Sequence, residues 1–277
     1  MKDNNVLNEI ESLTEQKELK QNGYSIFYYA TGDKEKELIV FLHPAFADHR
    51  CFDKQIDYFA IEFRVVTIDM LGHGLSKVEK AKDKIDYTIH HIDTILKNEG
   101  YSKAHFAGVS MGTLIAQYYS LNFPDKVRSM TILGGYDING NNKEISKAQR
   151  SENIKWIFKA LFSMNSFRRY VSSVSVSQLV EQARFYEMAS LFTRKSFTCM
   201  SGLGNILKQR DNIVINYPLL ILSGDKDIDL AKRMSKKWHD SQPTSKFHII
   251  ENAGHCANMD DPDSFNRIVM SFIKQNN

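Results

Sequence analysis

Strand-like and helix-like runs alternate along almost the whole of this 277-residue chain. Arg64 to Ile68, Ala104 to Ala107, Lys126 to Leu133, Leu219 to Ser223 and Lys246 to Ile250 have the length and β-branched or apolar content of strands. The runs between them carry apolar residues at helical spacing, as Ile89, Ile92, Ile95 and Leu96 do within Asp86 to Asn98. This alternation predicts an α/β fold with a mostly parallel central sheet flanked by helices. Near the start, Tyr24 to Ala30 and Leu38 to Leu42 flank the polar turn Thr31-Gly32-Asp33-Lys34 and are expected to pair as a hairpin.

The rhythm lapses between Asp137 and Asn212, where helix-like segments such as Asn153 to Met164 and Gln178 to Phe192 follow one another without a strand. The expected organisation is a core built from residues 1–136 and 213–277, with residues 137–212 inserted as a helical cap. Such an insert would lie over the C-terminal edge of the sheet, where α/β folds bind ligands. Its aromatic residues, among them Trp156, Phe162, Phe167, Phe185 and Phe192, would mostly form its own core and partly wall a pocket.

Composition narrows the function by exclusion. A net charge of +3 on a chain this long, with no basic stripe carrying interleaved aromatics, argues against nucleic acid as a partner. No apolar run is long enough to span a bilayer, and the first twenty residues lack the apolar core of a signal peptide. Cys51, Cys199 and Cys256 are odd in number and scattered, which suits a reduced cytoplasm and offers no metal-type spacing. His90 and His91 are expected to face out of their helix with no ligand-like partner, so no metal is predicted.

Gly108-Val109-Ser110-Met111-Gly112 falls where an apolar strand meets a helix running from Thr113 to Leu121. A serine on that sharp turn is pushed out of the sheet, and side chains at the glycine positions would collide with neighbouring elements. A serine hydroxyl needs a base in reach, and the base needs an orienting acid. Asp225 and Asp227 follow one later strand and His255 follows the next, so three distant loops can meet on one sheet edge.

Together with His43-Pro44, the stretch Asp69 to Ser76, Gly224-Asp225-Lys226-Asp227 and Ala253-Gly254-His255, this elbow makes the chain resemble the α/β-hydrolase superfamily from about Tyr24 to Ile273. The resemblance implies Ser110 as nucleophile, His255 as base and Asp227 as acid. Asp225 becomes a turn residue, and Asp137 is the third position where relatives place the acid. It also implies an oxyanion hole made by the amides of Met111 and Ala45. Pro44 stands where relatives usually have glycine and, having no N–H, cannot donate. Phe46 is then expected near the pocket mouth, as a substrate-binding residue. His43 is expected to brace its loop, His73 to pack in its turn and Cys256 to act as a small buried hydrophobe. Thr113 replaces a second glycine common after the elbow.

The expected activity is hydrolysis of a small or medium apolar acyl ester through an acyl-enzyme, with no cofactor. Carbon–carbon bond hydrolysis, acyl-homoserine lactone hydrolysis and cofactor-free peroxidation use the same triad, and a small-ligand receptor with vestigial hydrolysis is the reading from another class. Ser110 at the elbow disfavours dehalogenase and epoxide hydrolase chemistry, which relatives perform with aspartate. Cys256 replaces the tryptophan common after the histidine of ring-fission hydrolases. Thr113-Leu114 replaces the arginine of the menaquinone-pathway relative.

Overall fold

The computed structural model describes residues 14–78, 81–140, 143–211 and 213–276. The polar beginning of the chain and the expected end of the insert at residue 212 lie outside these residues. Eight strands form one sheet: β1 (Glu15–Gln21), β2 (Tyr24–Thr31), β3 (Leu38–Leu42), β4 (Arg64–Ile68), β5 (Ala104–Val109), β6 (Val127–Leu133), β7 (Leu219–Gly224) and β8 (Lys246–Ile250). Their order is β1-β2-β4-β3-β5-β6-β7-β8, parallel from β4 onward and antiparallel where β2 meets β1 and β4.

The expected hairpin does not form. β4 lies between β2 and β3, pairing antiparallel with one and parallel with the other. Both β3 and β4 are buried along all five residues, so each needs a strand on either side and helices on either face. A turn between β2 and β3 carries no information about that requirement. β1 escapes sequence reading because Glu-Gln-Lys-Glu-Leu-Lys-Gln is almost wholly polar; its charges also keep the sheet edge from pairing further.

Eleven α-helices are described: α1 (Asp53–Ala60), α2 (Thr88–Glu99), α3 (Met111–Asn122), α4 (Lys143–Phe162), α5 (Met164–Ser175), α6 (Leu179–Ser190), α7 (Phe197–Met200), α8 (Leu203–Ile206), α9 (Asp229–Ser241), α10 (Ala257–Asp260) and α11 (Pro262–Lys274). Alternating strand residues divide the core into two layers. Ile39, Phe41 and Val65 face Phe59 of α1 and Phe265 and Val269 of α11. Val40, Leu42 and Val66 face Ile92 of α2, Ile115 of α3 and Trp238 of α9.

His91 departs from expectation. It is buried, and its Nε2 lies 2.8 Å from the Tyr24 hydroxyl. Thr88, His91, Ile92 and Ile95 share one helical face by spacing, so His91 belongs to the buried stripe.

One ion pair ties α2 to the sheet. Arg64 Nη2 lies 2.8 Å from Glu99 Oε2, with both side chains almost fully buried, and Lys17 Nζ approaches the other carboxylate oxygen at 2.6 Å. Replacing Arg64 by methionine leaves Glu99 Oε2 without its guanidinium, with Lys17 and the Tyr28 hydroxyl both on Oε1. It is expected to destabilise the fold by about 3 kcal/mol, read as a lower urea midpoint with an unchanged slope.

Between β6 and β7 the chain forms α4 to α8 and no strand among the described residues. Phe167, Phe185 and Phe192 are fully buried there, whereas Phe162 is 80% exposed. No helix among the described residues is long and apolar enough to cross a membrane.

Candidate active site

The parallel strands end in register, so the loops after β3, β5, β6, β7 and β8 open on one edge. Ser110 follows β5 as the N-cap of α3, with φ +51° and ψ −113°. A non-glycine residue is strained there and persists only where its surroundings hold it. The hold is tight packing between strand and helix. A Cβ at Gly112 would stand 2.0 Å from the Leu42 carbonyl oxygen, and one at Gly108 would stand 2.6 Å from the Gly112 backbone. Both glycines are therefore required for α3 to lie against β3 and β5.

Thr113, where relatives often have glycine, donates from its hydroxyl to the Ser110 carbonyl at 2.6 Å. Room for it comes from Gly135, where a Cβ would lie 2.4 Å from that hydroxyl.

His255 and Asp227 meet although they follow different strands. His255 Nδ1 lies 3.0 Å from both Asp227 oxygens, so Nδ1–H donates and Nε2 is left as an acceptor. Asp227 is buried, and its Oδ1 also accepts the Ile228 amide at 2.7 Å. Burial alone would lower the His255 pKa, but the Asp227 charge and hydrogen bond outweigh it and raise the pKa above 6.5.

The imidazole sits over the end of β6. A Cβ at Gly134, whose φ is +63°, would lie 2.9 Å from His255 Cε1. The amide of Ser110 donates to the carbonyl of Leu133, the residue before Gly134, at 2.9 Å. Ser110 and His255 thus flank the same two residues of the β6 terminus. No hydrogen bond joins the two side chains among the described residues, a contact that often tightens only when substrate binds.

The other carboxylates have different occupations. Asp225 accepts the Ala253 amide at 3.0 Å and so pins the loop that carries His255. Asp137 accepts the Asn139 amide at 2.9 Å within its own turn. Asp260, which sequence patterns did not single out, accepts the Gly254 amide at 2.7 Å and the amides of Ser177 and Gln178 at 2.9 Å each. It fastens the start of α6 to the His255 loop. An isolated aspartate on a short helix gives no advance signal of such a clamp.

The loop after β3 turns sharply. Ala47 donates to the Pro44 carbonyl at 3.4 Å, with Phe46 at φ +72°. His43 Nδ1–H donates to that same carbonyl at 2.7 Å, and its Nε2 accepts the Met70 amide at 3.0 Å. Both ring nitrogens are engaged, and burial lowers the pKa, so His43 is a neutral brace. Ala45 occupies the second position of this turn, and Met111 begins α3. Among the described residues, neither amide donates to another protein group.

Phe46 is 4% exposed rather than at an open mouth. Its ring meets Trp156, Phe167 and Phe192 edge-on at centroid distances of 5.0 to 5.1 Å, joining the β3 loop to α4, α5 and the segment just after α6. Those contacts compensate the strained backbone. His73, against Phe192, is held neutral, with burial lowering its pKa to about 3. Burial pushes the Cys256 thiol well above its ordinary range, so it is no competing nucleophile.

Asp48, His49 and Asp69 lie close enough to hold a cation. Their groups are already committed: Asp48 to Arg50 at 2.7 Å, and Asp69 to the Leu75 amide at 2.9 Å and to His49 Nδ1 at 2.8 Å.

A family model described as alpha/beta hydrolase fold matches residues 37–174. The (E)-2-((N-methylformamido)methylene)succinate hydrolase of Acinetobacter baylyi is 24% identical over 259 residues, covering 91% of this chain and 95% of the relative. Human epoxide hydrolase 4 is 23% identical, covering 93% and 78%. A solved esterase from Rhodococcus superposes with a TM-score of 0.76 at 18% identity, covering 95% of this chain and 99% of that one.

Proposed function

The chain belongs to the α/β-hydrolase superfamily, and from that premise we propose that it is a serine hydrolase cleaving small or medium apolar acyl esters. The carrying observation is the Asp227–His255 pair seated over Gly134, with the Ser110 amide bonded to the adjoining residue. Ser110 Oγ attacks the ester carbonyl carbon as His255 Nε2 takes its proton. The tetrahedral oxyanion is met by the amides of Met111 and Ala45. Collapse expels the alcohol, which receives the proton from His255, and leaves an acyl group on Ser110. Water, activated by His255, then attacks that acyl carbon and releases the carboxylic acid. Serine supplies its own nucleophile, so these steps need no cofactor.

Residues 137–212 serve as the cap in this reading, and the aromatic cluster around Phe46 makes the surroundings of the β3 loop apolar. Acidic and epoxide substrates, which the relatives' names suggest, fit less well. Apolar surroundings favour an uncharged acyl chain, and Ser110 stands where an epoxide-opening aspartate would be required. A series of p-nitrophenyl esters from acetate to palmitate tests the proposal. Turnover is expected to peak between acetate and octanoate and to fall at least tenfold by palmitate. No turnover above the uncatalysed rate on any ester would refute it.

A further inference from the structure

Charge is unevenly shared between the helices after β6 and the rest of the chain. Residues 137–212 hold twelve Lys and Arg against six Asp and Glu, a net +6 within a chain whose total is +3. The remainder is therefore net negative. Eight of the twelve cations and four of the six carboxylates fall on α4 to α6, helices that also expose apolar side chains, with Phe162 and Leu179 each 80% exposed and Val180 73%.

A groove of ≈ 710 Å³ runs between these three helices, lined by none of Ser110, Asp227 and His255. Lys159 of α4, Arg169 and Tyr170 of α5, and Tyr186 of α6 line it, and among the described residues no carboxylate does. Lys159 Nζ stands 4.8 Å from the centre of the Tyr170 ring, and Arg169 has no ion pair or hydrogen bond among the described residues. Phe162 follows Lys159 at i+3, and Leu179 precedes Tyr186 at i+7, so helical spacing puts both apolar side chains on the faces that form the groove. The groove thus has cations and tyrosines in its lining and exposed apolar side chains on its bounding helices.

That combination matches a bilayer surface. Apolar side chains enter the acyl boundary, tyrosines sit at headgroup level and cations meet lipid phosphates. We propose that the outer face of α4, α5 and α6 docks the protein onto anionic lipid bilayers. The cations Lys159 and Arg169 in a lining that holds no carboxylate among the described residues, and the charge excess of the whole segment, favour an anionic lipid surface over an apolar protein groove partner.

Co-sedimentation with vesicles tests this, using phosphatidylcholine alone and phosphatidylcholine mixed with phosphatidylglycerol. Wild type and Ser110→Ala are expected to pellet equally with the anionic vesicles and to stay in solution with the neutral ones. Failure of the proposed hydrolysis therefore leaves the docking readout intact. Lys159→Glu combined with Arg169→Glu is expected to weaken anionic binding about thirtyfold or more. Phe162→Ser with Leu179→Ser is expected to weaken it severalfold, with unchanged circular dichroism because both residues are exposed. Equal pelleting with neutral vesicles, no pelleting with anionic ones, or indifference to both double substitutions overturns the proposal.

Discussion

Ser110→Ala is expected to lower ester turnover by at least about a thousandfold, and by up to about a millionfold. The same change is expected to abolish covalent labelling by a fluorophosphonate. Alanine keeps the Cβ and the backbone demand of φ +51°, so the elbow persists and only the attacking oxygen is lost. In the proposed mechanism the amides of Ala45 and Met111 stay in place and are expected to support the residual rate. Thermal unfolding checks the control, since Ser110 Oγ is not part of any hydrogen bond that holds the fold among the described residues. Retained labelling in Ser110→Ala would move the nucleophile elsewhere and end the mechanism proposed above.

The second large effect is Asp227→Asn, expected to cost about 10⁴ in kcat. Asparagine can offer N–H to His255 Nδ1, which favours the tautomer with its proton on Nε2 and removes the base. The pH profile separates this from a loss of folding. His255 must be neutral to accept a proton, so activity falls tenfold per unit below its pKa. Asp227 holds that pKa above 6.5 in the native protein, which puts the acid limb of kcat/KM above 6.5. Without the Asp227 charge only burial remains, and burial disfavours imidazolium, so the limb moves toward acid in the variant. Asp225→Asn retains an oxygen for the Ala253 amide and is expected to lose less than about tenfold. Equal losses in the two variants, or an unmoved acid limb in Asp227→Asn, would show that Asp227 is not the acid.

Much of this site was readable before any coordinates. The serine between two glycines, Asp227 and His255 each sit just past an apolar run, and parallel strands with aligned ends bring such loops to one edge. The special backbone at Ser110 was also implied locally, because Gly108 and Gly112 are spaced for close approach. Thr113 was a puzzle from sequence, and Gly135 explains it: space for the hydroxyl comes from a residue more than twenty positions later, on the neighbouring strand's loop. Asp260 gave no signal, since two of the three amides it holds, those of Ser177 and Gln178, come from a loop more than eighty positions earlier.

Periodicity and turn chemistry are properties of a few consecutive residues, so the chain by itself determined which segments, β1 excepted, become strands or helices and where the candidate side chains leave them. Strand neighbours, by contrast, are chosen by pairing across long stretches. Only the tertiary structure placed β4 between β2 and β3, turned His91 inward to Tyr24 and buried Phe46 among aromatic rings. Those outcomes depend on which faces each element must cover, and that is decided by all the elements together.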